Sequence, residues 1–243
     1  MTAGEQQAVI AGLPVQWREI AAPGAEPGVA GTASTFGLWV LHDPDATIDA
    51  MTQEEFEQND ERMPYFGLVW PSAEALVAAV LNGPRLDGQH VLDLGCGLGL
   101  CGFAAASMGA RVTFFDWEPR ALEIVQASAQ HQPLAPETFQ CVVGDWRTPP
   151  PLGPFDRILG ADVLYERRNA PAVAAFLAGH LKPGAEAWIA DPGRPQAEPF
   201  LTLTDAAGLL VQSREQFPPR PDGDQITLLR LRHPDDRPPP ADS

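Results

Sequence analysis

A chain of 243 residues, 44% hydrophobic and 20% charged, has material for one full core and too little length for two large domains joined by a linker. Its formal net charge of -16 argues against a nucleic-acid or membrane-phosphate binder, which needs a concentrated basic face; a basic partner would be attracted instead. Cys96, Cys101 and Cys141 show neither CxxC spacing nor a companion histidine cluster, so neither a disulfide framework nor a metal site is expected.

The opening residues MTAGEQQAVIAGLPV carry no basic n-region, and no apolar run approaches the roughly 18 residues of a spanning helix. The expectation is a cytoplasmic protein in a reducing compartment. Val15 to Ile20 and Phe36 to His42 carry strand-like residues on either side of the Pro/Gly/Ala-rich stretch Pro23 to Gly31, which suggests a small extended cap or hairpin. Thr52 and Glu55 form a capping-box pattern for a helix over roughly residues 53–60. PYFGLVWP (64–71) reads as an aromatic-dense extended segment, after which Ser72 is placed to N-cap an Ala/Leu/Val helix that stops at Asn82-Gly83-Pro84.

From His90 the pattern alternates: strand VLDL, helix Leu100 to Met108, strand RVTFFD, helix Pro119 to His131, strands FQCVV and RILGAD, helix Ala170 to Leu181, strand AEAWIAD. Strands separated by helices predict a doubly wound, mostly parallel sheet with helices on both faces. Helix Gln196 to Gly208 is then followed by two strands, Leu209 to Phe217 and Gln225 to Arg232, whose short connection makes them an antiparallel hairpin. The predicted organisation is a cap over 1–63, an α/β domain over 64–233 and a proline-rich disordered tail over 234–243.

HVLDLGCGLGLCG (90–102) holds two overlapping signatures. Gly95, Gly97 and Gly99 follow Asp93 as acid-x-G-x-G-x-G, while Gly97, Gly99 and Gly102 fit the dinucleotide pattern GxGxxG, whose helix N-terminus holds a pyrophosphate. The first turn glycine is Gly95, and a nicotinamide fingerprint counted from there wants a small residue at position 100, which is leucine. A carboxylate at Asp93 suits a cationic amine better than a pyrophosphate, and S-adenosylmethionine carries an ammonium, a sulfonium and no phosphate. Asp116 ends the second strand, where a carboxylate accepts ribose hydroxyls in either cofactor class. Asp145 follows the third strand with Trp146 beside it as a plate for a base, and Asp162 closes the fourth within ADVLYE. Four successive strand ends finishing at aspartates converge where open α/β sheets bind ligands.

On these residues the chain resembles the class I S-adenosylmethionine-dependent methyltransferases. VWPSAEALVAAVL before the loop and Asp162-Val163-Leu164-Tyr165 after the fourth strand resemble the seven-β-strand, family 16 protein-lysine methyltransferases. The resemblance implies a Rossmann-like seven-stranded sheet and methyl transfer to a lysine amine of a protein, one with a basic surface on the charge argument. It also implies a cofactor held by Trp70, Asp93, Gly95, Gly97, Gly99, Asp116, Trp117, Asp145, Trp146 and Ala161, with Asp162 and Tyr165 as catalytic residues facing the acceptor. A small-molecule N- or O-methyltransferase, an NAD-dependent oxidoreductase and a non-catalytic adenosylmethionine-binding protein remain the alternatives.

Overall fold

The computed structural model describes residues 6–22, 35–50, 64–218 and 225–234. The helix expected over 53–60, the stretch Pro23 to Gly31 and the tail beyond Pro234 lie outside them. Among the described residues, no helix is long and apolar enough to cross a membrane.

The amino-terminal segment is a three-stranded antiparallel sheet, β1 (Gln7–Ile10), β2 (Leu13–Ala21) and β3 (Thr35–Leu41), larger than the predicted hairpin. Ile10 pairs with Leu13, and the Ala11-Gly12 loop between them has positive φ at both residues (53° and 77°). That geometry matches the right-handed twist of the flanking strands. A short helix, α1 (Pro44–Asp49), follows and is N-capped by Asp43.

The sheet docks on α4 (Pro119–Ala129). Trp17 and Trp39 meet edge to face at 5.4 Å, His131 packs on both, and the Trp39 N–H donates to buried Ser128 Oγ at 3.0 Å. Leu13, Val15, Phe36 and Leu38 therefore share one continuous apolar cluster with Ala104, Leu122 and Val125.

PYFGLVWP is not fully extended: Pro64–Gly67 coil into a 3-10 turn. Ser72 is not the cap of the helix after it. Pro71, whose ring presets a helical φ, takes the first position of α2 (Pro71–Leu81) behind Trp70, so Ser72 turns inward and its buried Oγ has no partner.

The main sheet has the order β6-β5-β4-β7-β8-β10-β9. Its members are β4 (His90–Leu94), β5 (Arg111–Asp116), β6 (Phe139–Val143), β7 (Phe155–Ala161), β8 (Leu181–Asp191), β9 (Leu210–Gln216) and β10 (Thr227–Arg232). β4 to β8 run parallel, while β10 pairs antiparallel with both β8 and β9. This is the predicted doubly wound sheet with its terminal hairpin, and β10 inserts between β8 and the edge strand β9.

Alternate residues feed two cores. Val91, Phe114, Leu159 and Trp188 face the cluster that holds α2 and α3 (Leu100–Ser107), whereas Leu92, Phe115, Ile158 and Ile189 face the one built on α5 (Asn169–His180) and α6 (Ala197–Ala206). A strand buried on both faces carries apolar residues at nearly every position, which is why VLDL and RVTFF read as continuous runs. Leu181, expected to end a helix, opens β8 instead, its φ of -81° and ψ of 138° being extended. In the amino-terminal half of β8 the pairing with the end of β10 extends to His233, whose N–H donates to the Ala185 carbonyl at 2.9 Å.

Candidate functional site

The chain lays β4, β5 and β6 outward on one side, then returns to place β7 against the other edge of β4. At such a switch point the loops after adjacent strands diverge and leave a crevice at the carboxyl ends. Here it is a cavity of about 480 Å³.

Its floor is the loop after β4. Gly95, Gly97 and Gly99 all lie in the left-handed region, at φ 62°, 49° and 78°, where a side chain is strained. A Cβ at Gly95 would press on the Trp146 ring at 3.0 Å, so the indole lies directly over the loop. The ring of Phe114 fills the space left open by Gly99 and Gly102, so these two glycines serve helix-to-strand packing and not the ligand face.

Buried acids hold the loop from beneath. The Gly102 N–H donates to Asp93 Oδ2 at 2.8 Å, the Gly97 N–H to Asp116 Oδ2 at 2.9 Å, and the Glu118 N–H to Asp116 Oδ1 at 3.0 Å. Burial pushes the Asp93 carboxyl up to about 8 against the opposing Gly102 bond, and that of Asp116 up to about 6 against the bonds from Glu118 and Gly97. Glu118, buried, caps α4 by accepting the Arg120 N–H, and its carboxylate is gripped by the Arg120 guanidinium at 2.9 and 3.0 Å.

Across the cavity, Asp162 ends β7 at a φ of 56°, which Asp tolerates better than most side chains. Its carboxylate receives Arg194 Nε on Oδ1 at 2.9 Å and Nη2 on Oδ2 at 2.8 Å. No helix starts until Asn169, so Asp162 is not a helix cap. Both tyrosines of the chain, Tyr65 and Tyr165, stand in the wall and are 50% and 43% exposed, which puts them at the mouth. Partial desolvation, with the nearby carboxylates of Glu166 and Asp116, raises the Tyr165 hydroxyl to about 12, so it stays protonated near neutrality. Trp70 meets Tyr65 edge to face at 6.0 Å and donates its indole N–H to the Tyr65 carbonyl at 3.0 Å.

Of the residues expected from the sequence, Trp70, Asp93, Gly95, Gly97, Asp116, Trp117, Trp146, Ala161, Asp162 and Tyr165 line this one cavity. Gly99 sits behind it on Phe114, and Asp145 is not among its lining residues, its carboxylate being ion-paired with Arg147 at 2.7 Å. Sequence reading missed Glu118, Glu166, Tyr65 and Arg194, which also line it. Glu118 and Glu166 were signalled by their places two residues after Asp116 and one after Tyr165. Nothing local signalled Arg194, which reaches Asp162 from 32 residues away. Among the described residues, no group of three or more potential metal ligands is present.

The wall carries five acidic side chains, Asp93, Asp116, Glu118, Asp162 and Glu166; burial favours the protonated form of Asp93, while Glu118 is paired with Arg120 and Asp162 with Arg194. That donor set suits a cationic, hydroxyl-bearing ligand and not a pyrophosphate. Residues 91–184 match the family model described as a methyltransferase domain. Over that span the chain is similar to a methyltransferase domain.

The chain is 35% identical over 133 residues to the zebrafish (Danio rerio) protein N-lysine methyltransferase METTL21A, an alignment covering 52% of this chain and 60% of that protein. It is 34% identical over 138 residues to the zebrafish electron transfer flavoprotein beta subunit lysine methyltransferase, covering 56% and 52% respectively. Each alignment thus spans little more than half of the relative's length. N-methyltransferase NodS from Bradyrhizobium japonicum WM9, solved with S-adenosyl-L-homocysteine, superposes with a TM-score of 0.58 at 17% identity, covering 79% of this chain and 98% of NodS, and shares the fold.

Proposed function

We propose that this methyltransferase domain uses S-adenosylmethionine to methylate a lysine amine of a protein. The observation that carries the reading is the single cavity joining the glycine loop, with Asp93 and Asp116, to the Asp162–Tyr165 turn. The two lysine methyltransferase relatives favour a protein lysine over a metabolite amine.

Gly95 to Gly97 and Asp93 would hold the methionine end of the cofactor. The lone pairs of Asp116 left free by its two backbone bonds would accept ribose hydroxyls. Trp146, lying on the loop, would flank the adenine. Bound there, the cofactor supplies a methyl group made electrophilic by its sulfonium.

An acceptor lysine arrives protonated, its ordinary pKa being about 10.4, and must lose that proton before it can act as a nucleophile. Asp162 accepts hydrogen bonds from the arriving amine, and Tyr165 and Tyr65, both in the wall, give the mouth an aromatic lining for the acceptor chain. The mouth is open to water, which carries the proton away. The net charge of -16 favours a target lysine on a basic surface, and three free cysteines suit a reducing cytoplasmic setting.

The test is incubation of the protein with methyl-labelled S-adenosylmethionine and a cell extract, followed by mapping of the label. The expected result is methylated lysine in a discrete protein. Label confined to small molecules would overturn the acceptor assignment, and no transfer together with no adenosylhomocysteine binding would overturn the whole reading.

A further inference from the structure

We propose that Arg194 is a positioning residue for the acceptor amine: it fixes the plane of the Asp162 carboxylate and cancels its charge. The inference rests on the cavity being a methyltransferase site with an amine acceptor.

The pair is built from both sides. Asp162, 8% exposed, is pinned at its left-handed φ by its own N–H, which donates to the Ala190 carbonyl at 2.9 Å. Arg194 is delivered by the turn after β8, where Asp191 Oδ1 accepts the N–H groups of Gly193 and Arg194 at 2.8 and 2.7 Å. Asp191 is 1% exposed and Gly193 has a φ of 87°, so the turn is fixed by a buried anchor. The guanidinium then meets Asp162 with one N–H per carboxylate oxygen, a planar fork that a lysine ammonium cannot form. Each oxygen keeps a second lone pair.

The charge matters because a nucleophilic amine must be neutral. An uncompensated carboxylate in a cavity of low dielectric would hold the acceptor as its ammonium and oppose that deprotonation. Asp116 and Glu166 in the same wall add to the negative field. With Arg194 within 3 Å, the amine meets hydrogen-bond acceptors and a field lowered by one charge.

The experiment uses the full chain saturated with adenosylhomocysteine, with calorimetric titration of n-butylammonium as the lysine side-chain probe. Arg194→Gln exposes the Asp162 charge and should bind the probe about tenfold more tightly than the wild type, while Asp162→Asn combined with Arg194→Gln should return it to the wild-type level. A merely structural ion pair predicts a lower melting temperature and no gain in cation affinity. No gain in Arg194→Gln, or a gain that survives Asp162→Asn, overturns the proposal. If Arg194→Gln does not fold, Asp162→Asn alone provides the reciprocal test: it should bind n-butyrate more tightly than the wild type, and unchanged butyrate binding overturns the proposal equally. Failure of the wild type to bind adenosylhomocysteine overturns the methyltransferase reading and this inference with it. Adenosylhomocysteine binding with butylammonium affinity unmoved overturns the inference alone.

Discussion

Gly102 lies on the first turn of α3 with its N–H on Asp93, and in Gly102→Ala the new Cβ would stand 2.2 Å from Cε1 and 2.8 Å from Cδ1 of Phe114. Ordinary van der Waals contact begins near 3.4 Å, so the ring or the helix has to move. The ring has little room: Phe114 is fully buried and packs on Phe103 at 5.1 Å and Phe139 at 6.0 Å. Overpacking of this kind costs about 1–3 kcal/mol. For a domain of this size that corresponds to a fall in melting temperature of about 2–12 °C. Helix displacement also pulls the Gly102 N–H from Asp93 and disturbs the loop, so adenosylhomocysteine affinity should fall along with stability. The control is Gly179→Ala in α5, where nothing stands within 4 Å of the new methyl group and the gain in helix propensity should stabilise by about 0.5–1 kcal/mol. Phe114→Leu in the Gly102→Ala background should recover part of the loss, because the smaller side chain vacates the contested space. Calorimetric melting and titration on these variants decide the matter: a Gly102→Ala protein as stable as the wild type, or no coupling to Phe114→Leu, would refute the packing argument.

Because burial raises Asp93 to about 8 and Asp116 to about 6, both above the unfolded value of 3.8, the folded state binds more protons than the unfolded one up to about pH 8. The stability these acids contribute is complete below their unfolded value and is lost as pH rises through 6 and then 8, so the melting temperature of the ligand-free protein should fall between pH 7 and 9, and Asp93→Asn should flatten that slope; a rising curve refutes the assignment. Asp116→Ala would leave the ribose hydroxyls without their acceptor and should cost about 1–3 kcal/mol of binding, seen in titration as roughly five- to 150-fold weaker adenosylhomocysteine binding. Unchanged affinity would remove Asp116 from the ribose site. Asp162→Asn should lower methyl transfer to the mapped acceptor while adenosylhomocysteine affinity stays within about twofold, since the residue faces the acceptor side; normal turnover would dismiss its role.

The sequence by itself determined the sheet and the location of the cavity. Strands buried on both faces leave continuous apolar runs, glycines in the left-handed region leave their spacing after Asp93, and acids at successive strand ends mark the crevice, all of these being local requirements that each residue satisfies in its own place. Local rules also competed with one another: Pro71 took the first helical position behind Trp70, which left Ser72 within the helix and its side chain in the core, and Asp145 paired with Arg147 two residues on. Only the tertiary structure decided which side chains complete the acceptor side. Arg194 follows β8, Asp162 follows β7, and their bidentate contact exists because parallel neighbours deliver both loops to the same edge of the sheet. No periodicity or spacing encodes that meeting, since it depends on how two separate turns fold back over one crevice. The docking of β1 to β3 on α4 through Trp39 and Ser128 is of the same kind: each strand is legible alone, but its partner surface is fixed by shape and burial across 89 residues of chain.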